Sequence, residues 1–166
     1  MTINLTALEL SYLAGFIDAD GSINAQLIYR ADYILKYQIR VSVTLYQLRK
    51  RRWFLISMQK KLGLGTLRDR NDGMSELNII GAEPVQKLVK TLLPFLKIKH
   101  RQAILVISII ERMPKDKEPL TFYKLCQEVD KFEELNDSKK RKITSVVVAE
   151  TLGLVISPPP QSISRR

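Results

Sequence analysis

The sequence is short of the residues from which most metal and redox sites are built. Its 166 residues include one cysteine, Cys126, and one histidine, His100. One thiol excludes an internal disulfide and a cysteine-based zinc site, and one imidazole excludes a two-histidine site within a single copy. Cys126 falls in a helical apolar pattern and is expected as a buried core thiol, and His100 as a surface or phosphate-contacting residue. No apolar run is long enough to span a bilayer. The first ten residues, Met1–Leu10, contain no lysine or arginine to open a signal peptide. The expectation is a soluble, intracellular protein with no membrane partner.

Acidic residues are also scarce, 17 against 27 basic, for a formal charge of +10. The imbalance is local. Residues 1–20 carry Glu9, Asp18 and Asp20 and no cation, residues 21–110 carry 16 basic and 5 acidic residues, and residues 111–166 carry 11 and 9. A field concentrated in one segment makes nucleic acid the natural partner, although charge alone also fits a ribosomal protein or an anionic membrane. A hydrophobic share of 45% is enough for a core. The length fits one domain, residues 1–153, before a Pro- and Ser-rich tail, 154–166, expected to be disordered.

Thr6 and Glu9 have capping-box spacing, and the helix they open is apolar nearly all round before Gly21 stops it. Residues 22–30 and 38–47 then alternate. Ile23, Ala25, Leu27 and Tyr29 oppose Ser22, Asn24, Gln26, Ile28 and Arg30, while Ile39, Val41, Val43 and Leu45 oppose Gln38, Arg40, Ser42, Thr44 and Tyr46. Alternation of period two marks a half-buried antiparallel sheet. An amphipathic helix over 49–62 ends at Gly63, and short strands near 65–70 and 75–80 flank the hairpin turn Asn71-Asp72-Gly73. Helices follow from Glu83-Pro84 to Pro94, over 99–112, over 119–135 and from Thr144 to Gly153. The fold class is therefore α+β, in the order αββαββα, with one four-stranded antiparallel sheet and a helical C-terminal part.

The feature richest in chemistry is Leu13-Ala14-Gly15-Phe16-Ile17-Asp18-Ala19-Asp20-Gly21. It ends a greasy helix, with small Ala14 and Gly15 inside, on two acids. The helix macrodipole disfavours negative charge at that end, so a positive partner is implied, and a divalent metal is the first candidate. Read as a calcium loop, the stretch has Ser22, Ile23 and Tyr29 at the fifth, sixth and twelfth positions, which excludes an EF-hand. The plainer alternative is that Asp18 and Asp20 cap and turn the chain.

Leu13–Gly21 resembles the signature of the LAGLIDADG homing endonucleases, with Phe16 as its one departure. Arg51–Leu55, Pro94–Lys97 and Leu135–Lys139 resemble the single-motif homodimeric branch encoded in algal chloroplast introns. The resemblance covers roughly residues 10–145. It implies the homing-endonuclease fold, two chains paired through Leu13, Ala14, Gly15 and Phe16, and a Mg²⁺ site (with Mn²⁺ substituting) formed by Asp20 and the Ala19 carbonyl. It assigns catalytic support to Gln47, which would orient water, and to Arg51 and Lys99, which would hold phosphate, and leaves Asp18 structural. Lys99 is crowded by Lys97, His100 and Arg101, so sequence alone does not separate it from an ordinary surface cation. The resemblance also implies an organellar setting and no small-molecule cofactor.

A two-stranded ribbon fits the major groove, and the polar strand faces have the composition of base readers. Asn24, Gln26 and Gln38 suit adenine, and Arg30, Arg40, Arg68 and Arg70 suit guanine. Ser22, Asp32, Tyr33, Thr44, Tyr46, Glu76 and Asn78 complete the face, with Ile28 placed for a thymine methyl. Ser138, Lys139, Lys140 and Lys142 are either a phosphate-contacting loop or a solvated charge run. Nine strand residues reach about 30 Å, so a pair of chains would read a pseudo-palindrome of about 20 base pairs. The expected function is a site-specific endonuclease making double-strand breaks in DNA, and the family resemblance implies 3′ overhangs. The alternatives are a maturase-like RNA-splicing cofactor or a non-cleaving DNA-binding protein on the same fold, and a basic ribosomal-type protein.

Overall fold

A reciprocal capping box starts the first helix, α1 (Ala7–Asp20): the Glu9 amide donates to Thr6 Oγ1 at 3.2 Å and the Thr6 amide to Glu9 Oε2 at 2.9 Å. The computed structural model describes residues 3–115 and 117–155, so the tail from 156 onward lies outside the described residues. No loop separates α1 from β1 (Gly21–Tyr29). A Cβ on Gly21 would sit 2.8 Å from Ile17 Cα and 3.1 Å from the Ile17 and Thr44 carbonyl oxygens. All three are backbone atoms, so glycine is a packing requirement where the helix turns into the sheet.

β2 (Tyr37–Leu48) pairs with β1, and a 3₁₀ turn (Arg49–Arg51) leads into α2 (Arg52–Leu62). Gly63 closes α2 in the left-handed region, φ +63°, a conformation glycine adopts without cost. β3 (Thr66–Asp69) and β4 (Met74–Ile80) form the second hairpin, and the sheet order is β1-β2-β4-β3, antiparallel throughout. Then come α3 (Ala82–Leu92), α4 (His100–Glu111), α5 (Pro119–Leu135) and α6 (Ser145–Leu152).

One buried cluster draws on every helix, from Leu13 in α1 to Val148 in α6, and on the inward strand positions. Ile23, Ala25 and Leu27 of β1 and Ile39, Val41, Val43 and Leu45 of β2 supply that layer, as the alternation predicts. Tyr29 departs from it. It is exposed at the strand end and packs edge-on against Tyr37, ring centroids 5.6 Å apart. Cys126 is fully buried, and burial pushes its thiol up to about 12. Among the described residues, no helix is long and apolar enough to cross a membrane.

Candidate active site and nucleic-acid face

The two acids at the end of α1 have different surroundings. Asp18 is 8% exposed. Its Oδ2 accepts from the Lys97 amide and its Oδ1 from the Lys99 amide, both at 2.9 Å, and its carbonyl accepts from Lys99 Nζ at 2.7 Å. The carboxylate thus fastens the turn before α4 to the end of α1, and the Lys99 ammonium satisfies a carbonyl that the helix terminus would leave unpaired. Asp20, two residues on, is exposed, and its carboxylate has no hydrogen-bond donor among the described residues. Ala19 is exposed beside it.

Strand register carries Gln47 past the start of β1. Gly21 faces Leu45 across β1 and β2, and Gln47, two residues on, comes near Tyr12 and Phe16 of α1. Gln47 Oε1 accepts from the Leu48 amide at 2.9 Å and from Arg51 Nη1 at 3.3 Å. Both side chains share a cavity of about 180 Å³ with Tyr12, Phe16, Trp53 and Phe54. Lys99 lines a second cavity of about 360 Å³ with Gly21, Ser22, Asn24 and Tyr46. It is half-buried, whereas Lys97, His100 and Arg101 are exposed. The fold therefore separates Lys99 from the cations that crowd it in sequence. No group of three or more Asp, Glu, His or Cys side chains positioned to hold a metal occurs among the described residues.

Burial corrects the pairing surface expected on α1. Leu13 and Ala14 are 0% exposed, so their side chains belong to the chain's own core and cannot meet a second copy. Phe16 is half-buried against Phe54, centroids 5.0 Å apart. The face left open is Leu8, Tyr12, Gly15 and Ala19, with Leu8 84% and Tyr12 63% exposed, next to Trp53 at 67%. The all-round apolarity of α1 predicts a buried helix, yet Leu8 and Tyr12 are exposed, and Trp53 beside them was not singled out in the sequence.

The outward face of the sheet carries the expected polar set, but several of its members bind one another. Thr44, expected to reach bases, is buried and donates to Asn78 Oδ1 at 2.9 Å. Asn78 Nδ2 donates to Glu76 Oε1 at 3.0 Å. Glu76 is itself buried and pairs with Arg68 at 3.4 Å and Arg70 at 3.8 Å. What this group turns outward is its two arginines. At the β1–β2 loop, Arg30 grips Asp32 through Nε and Nη2 at 3.1 and 3.0 Å and lies over the Tyr33 ring at 4.7 Å. That bond raises the Arg30 pKa and lowers that of Asp32. Gln26 stands opposite Arg40, Ser22 opposite Thr44 and Ile28 opposite Gln38. Gln38 Oε1 is buried without a partner among the described residues.

Ser138, Lys139, Lys140 and Lys142 are exposed. Arg141, which the sequence pattern did not separate from them, turns inward. Burial lowers its pKa, against the opposing pull of Asp130 and Glu133.

An α+β fold that sets one open carboxylate where an apolar helix meets an arginine-rich antiparallel sheet is the fold of the homing endonucleases. Residues 13–103 match the LAGLIDADG endonuclease family, and the chain belongs to that family. It is 47% identical over 145 residues to DNA endonuclease I-CvuI of Chlorella vulgaris, covering 87% of this chain and 90% of that protein. It is 42% identical over 144 residues to DNA endonuclease I-CreI of Chlamydomonas reinhardtii, covering 86% and 88%. The crystal structure of I-CvuI in complex with the I-CreI target and Mg, its DNA uncleaved, superposes with a TM-score of 0.84 at 45% identity, covering 90% of this chain and 97% of that one. The archaeal endonuclease I-Vdi141I shares the fold at a TM-score of 0.77 and 18% identity, covering 88% and 95%.

Proposed function

We propose that two copies of this chain pair through α1 and cut both strands of a long pseudo-palindromic DNA duplex, using a divalent metal held at the junction. The observation that carries this reading is Asp20, an open carboxylate at a helix C-terminus where the macrodipole opposes it. A second copy and the DNA phosphates would complete the ligand set, because one carboxylate and the Ala19 carbonyl fall short of the six oxygens Mg²⁺ takes.

Gly15 supports the pairing. A Cβ there would meet nothing within 4 Å of the chain's own atoms. No internal contact requires glycine at this helical position, and glycine lowers helix stability by about 1 kcal/mol. Close approach of another helix backbone accounts for it. The apolar side chains of Leu8, Tyr12 and Trp53 flank the same face.

Bound by Asp20 and Ala19, Mg²⁺ would supply Lewis acidity and neutralise charge at the scissile phosphate, and Mn²⁺ is expected to substitute. Gln47, its oxygen held by Arg51 and the Leu48 amide, keeps its Nε2 to orient a water. Lys99, anchored on the Asp18 carbonyl, and Arg51 hold phosphate oxygens. The outward side chains of β1–β4 read base edges, and Ser138, Lys139, Lys140 and Lys142 contact the backbone. Residues 1–153 act as one endonuclease domain, and cleavage across the minor groove leaves short 3′ overhangs. Relatives from two green algae and the family resemblance support an intracellular, organellar setting.

A library of pseudo-palindromic duplexes incubated with the protein and Mg²⁺ tests the proposal. Wild type should cut a defined site, and Asp20→Asn should bind that site without cutting. Failure to cut any duplex, combined with tight binding of a structured intron RNA, would favour the splicing-cofactor reading. A persistent monomer in sedimentation would overturn the shared site.

A further inference from the structure

Residues 136–142, which leave α5, run along the free edge of β1. Among the described residues β1 pairs only with β2, so its other edge presents carbonyls that no strand takes up, the groups through which edge strands recruit other chains. Two of them are taken by side chains from this segment. Asn136 Nδ2 donates to the Ile23 carbonyl at 3.1 Å, and Arg141 Nη1 donates to the Ala25 carbonyl at 2.6 Å. Between those carbonyls, Asn24 Oδ1 accepts from Arg141 Nη2 at 2.7 Å and from Asn136 Nδ2 at 3.3 Å.

This latch is fastened from behind. The Arg141 amide donates to Glu133 Oε2 at 3.0 Å. Gln102 Nε2 reaches the Leu135 carbonyl at 2.7 Å and Asn136 Oδ1 at 3.4 Å. Arginine has donors and no acceptor, so the Asn24 atom facing it must be the oxygen. That assignment turns the Asn24 Nδ2 away from the latch. The side chain stands on the outward face of β1, between Ser22 and Gln26.

An asparagine pairs adenine bidentately by accepting from N6 and donating to N7. With its oxygen already held, Asn24 has only a donor to offer. We propose that Arg141 and Asn136 are positioning residues that fix the carboxamide polarity of Asn24, making it a donor-only reader. Guanine O6 and N7, thymine O4 and adenine N7 all accept in the major groove and cytosine offers only a donor, so such a reader loses the bidentate adenine pairing and discriminates against cytosine. The proposal rests on the endonuclease reading. It replaces the adenine preference that residue type alone implies for Asn24. The latch also ties Lys139, Lys140 and Lys142 to β1, so backbone contacts and base contacts keep one register.

The experiment is selection of bound duplexes from a pseudo-palindromic pool in metal-free buffer, where binding proceeds without cleavage. Wild type, Arg141→Met, Arg141→Lys and Asn24→Asp are compared. Wild type should show one half-site position at which cytosine is disfavoured about tenfold, the scale of one good base contact. Arg141→Met should lose that preference while the other positions keep theirs, and Arg141→Lys, which keeps a donor, should restore part of it. Asn24→Asp keeps the acceptor for Arg141 and removes the donor, so it should reverse the same position toward cytosine at unchanged thermal stability. Should Arg141→Met fail to fold, Asn24→Asp carries the test.

Equal weakening at every position, with no change of base preference, would mean that the latch is merely structural and would overturn the proposal. Wild-type acceptance of cytosine at the position altered by Asn24→Asp would overturn it too. If wild type selects no duplex at all, the endonuclease reading falls with it, an outcome distinct from either of these.

Discussion

Lys99 and Asp18 hold each other twice: the Lys99 amide donates to Asp18 Oδ1 at 2.9 Å, and the Lys99 ammonium donates to the Asp18 carbonyl at 2.7 Å. The carboxylate fixes where α4 begins, and the lysine it positions returns to cap α1. A buried acid and a half-buried base are joined through the backbone rather than through a salt bridge.

Replacing Asp18 with alanine leaves the Lys97 and Lys99 amides without their acceptor. Hydrogen bonds to a charged group contribute about 1.5–3 kcal/mol each, so Asp18→Ala should lose about 3 kcal/mol of stability in urea denaturation. Cleavage should also fall at temperatures where the variant is folded, because Lys99 loses its mooring. Full activity of the folded variant would contradict the positioning role.

Gly21→Ala and Gly15→Leu should behave in opposite ways. At Gly21 the new Cβ would meet Ile17 Cα at 2.8 Å, an overpacking that costs about 1–3 kcal/mol, and urea denaturation should report it. At Gly15 the chain itself offers no obstacle. Gly15→Leu should keep native circular dichroism yet sediment as a monomer and fail to cut DNA.

Cys126 gives a pH dependence with a definite sign. Burial raises its thiol from 9.0 to about 12, so the unfolded chain releases that proton first. The stability contributed by the neutral buried thiol is fully present below pH 9 and is lost as pH rises toward 12. The stability difference between wild type and Cys126→Ala, measured by denaturation at pH 8 and at pH 10.5, should shrink at the higher pH. The same burial predicts that alkylating reagents label the thiol only after unfolding.

Truncating Thr6 to alanine removes one half of the capping box. The expected cost is about 1 kcal/mol, read as a lowered denaturation midpoint. DNA cleavage at 25 °C should be unchanged, since Asp20 lies at the opposite end of the helix.

Much of the fold was legible in the sequence because it rests on local chemistry. Period-two alternation, the Asn71-Asp72-Gly73 turn, and the prolines and glycines that bound each helix act within a few residues, and α5 spans 119–135 as expected. The helix expected from residue 49 begins instead at Arg52, after a 3₁₀ turn over Arg49–Arg51, since a 3₁₀ turn and a helical turn share the same residue preferences. The candidate site was legible in part. Lys99 is bonded to Asp18 at the end of α1, and Gln47 and Arg51 are bonded to each other and share a cavity with Tyr12 and Phe16 of the same helix, relations that spacing alone does not give.

By itself the sequence determined the alternation that builds the sheet, the basic excess on one segment, and a signature helix ending in two acids. Tertiary structure decided which member of each similar set faces which way. Leu13 and Ala14 went inward and Leu8 and Tyr12 outward, on a helix whose apolar residues surround it. Asp18 was enclosed and Asp20 left open. Among four consecutive cations, Arg141 turned to the edge of β1 while Lys139, Lys140 and Lys142 stayed in solvent. The reason is physical: residues of one type carry the same local preference, and only partners distant in sequence, such as the Ala25 carbonyl for Arg141 and the Lys97 and Lys99 amides for Asp18, break the tie.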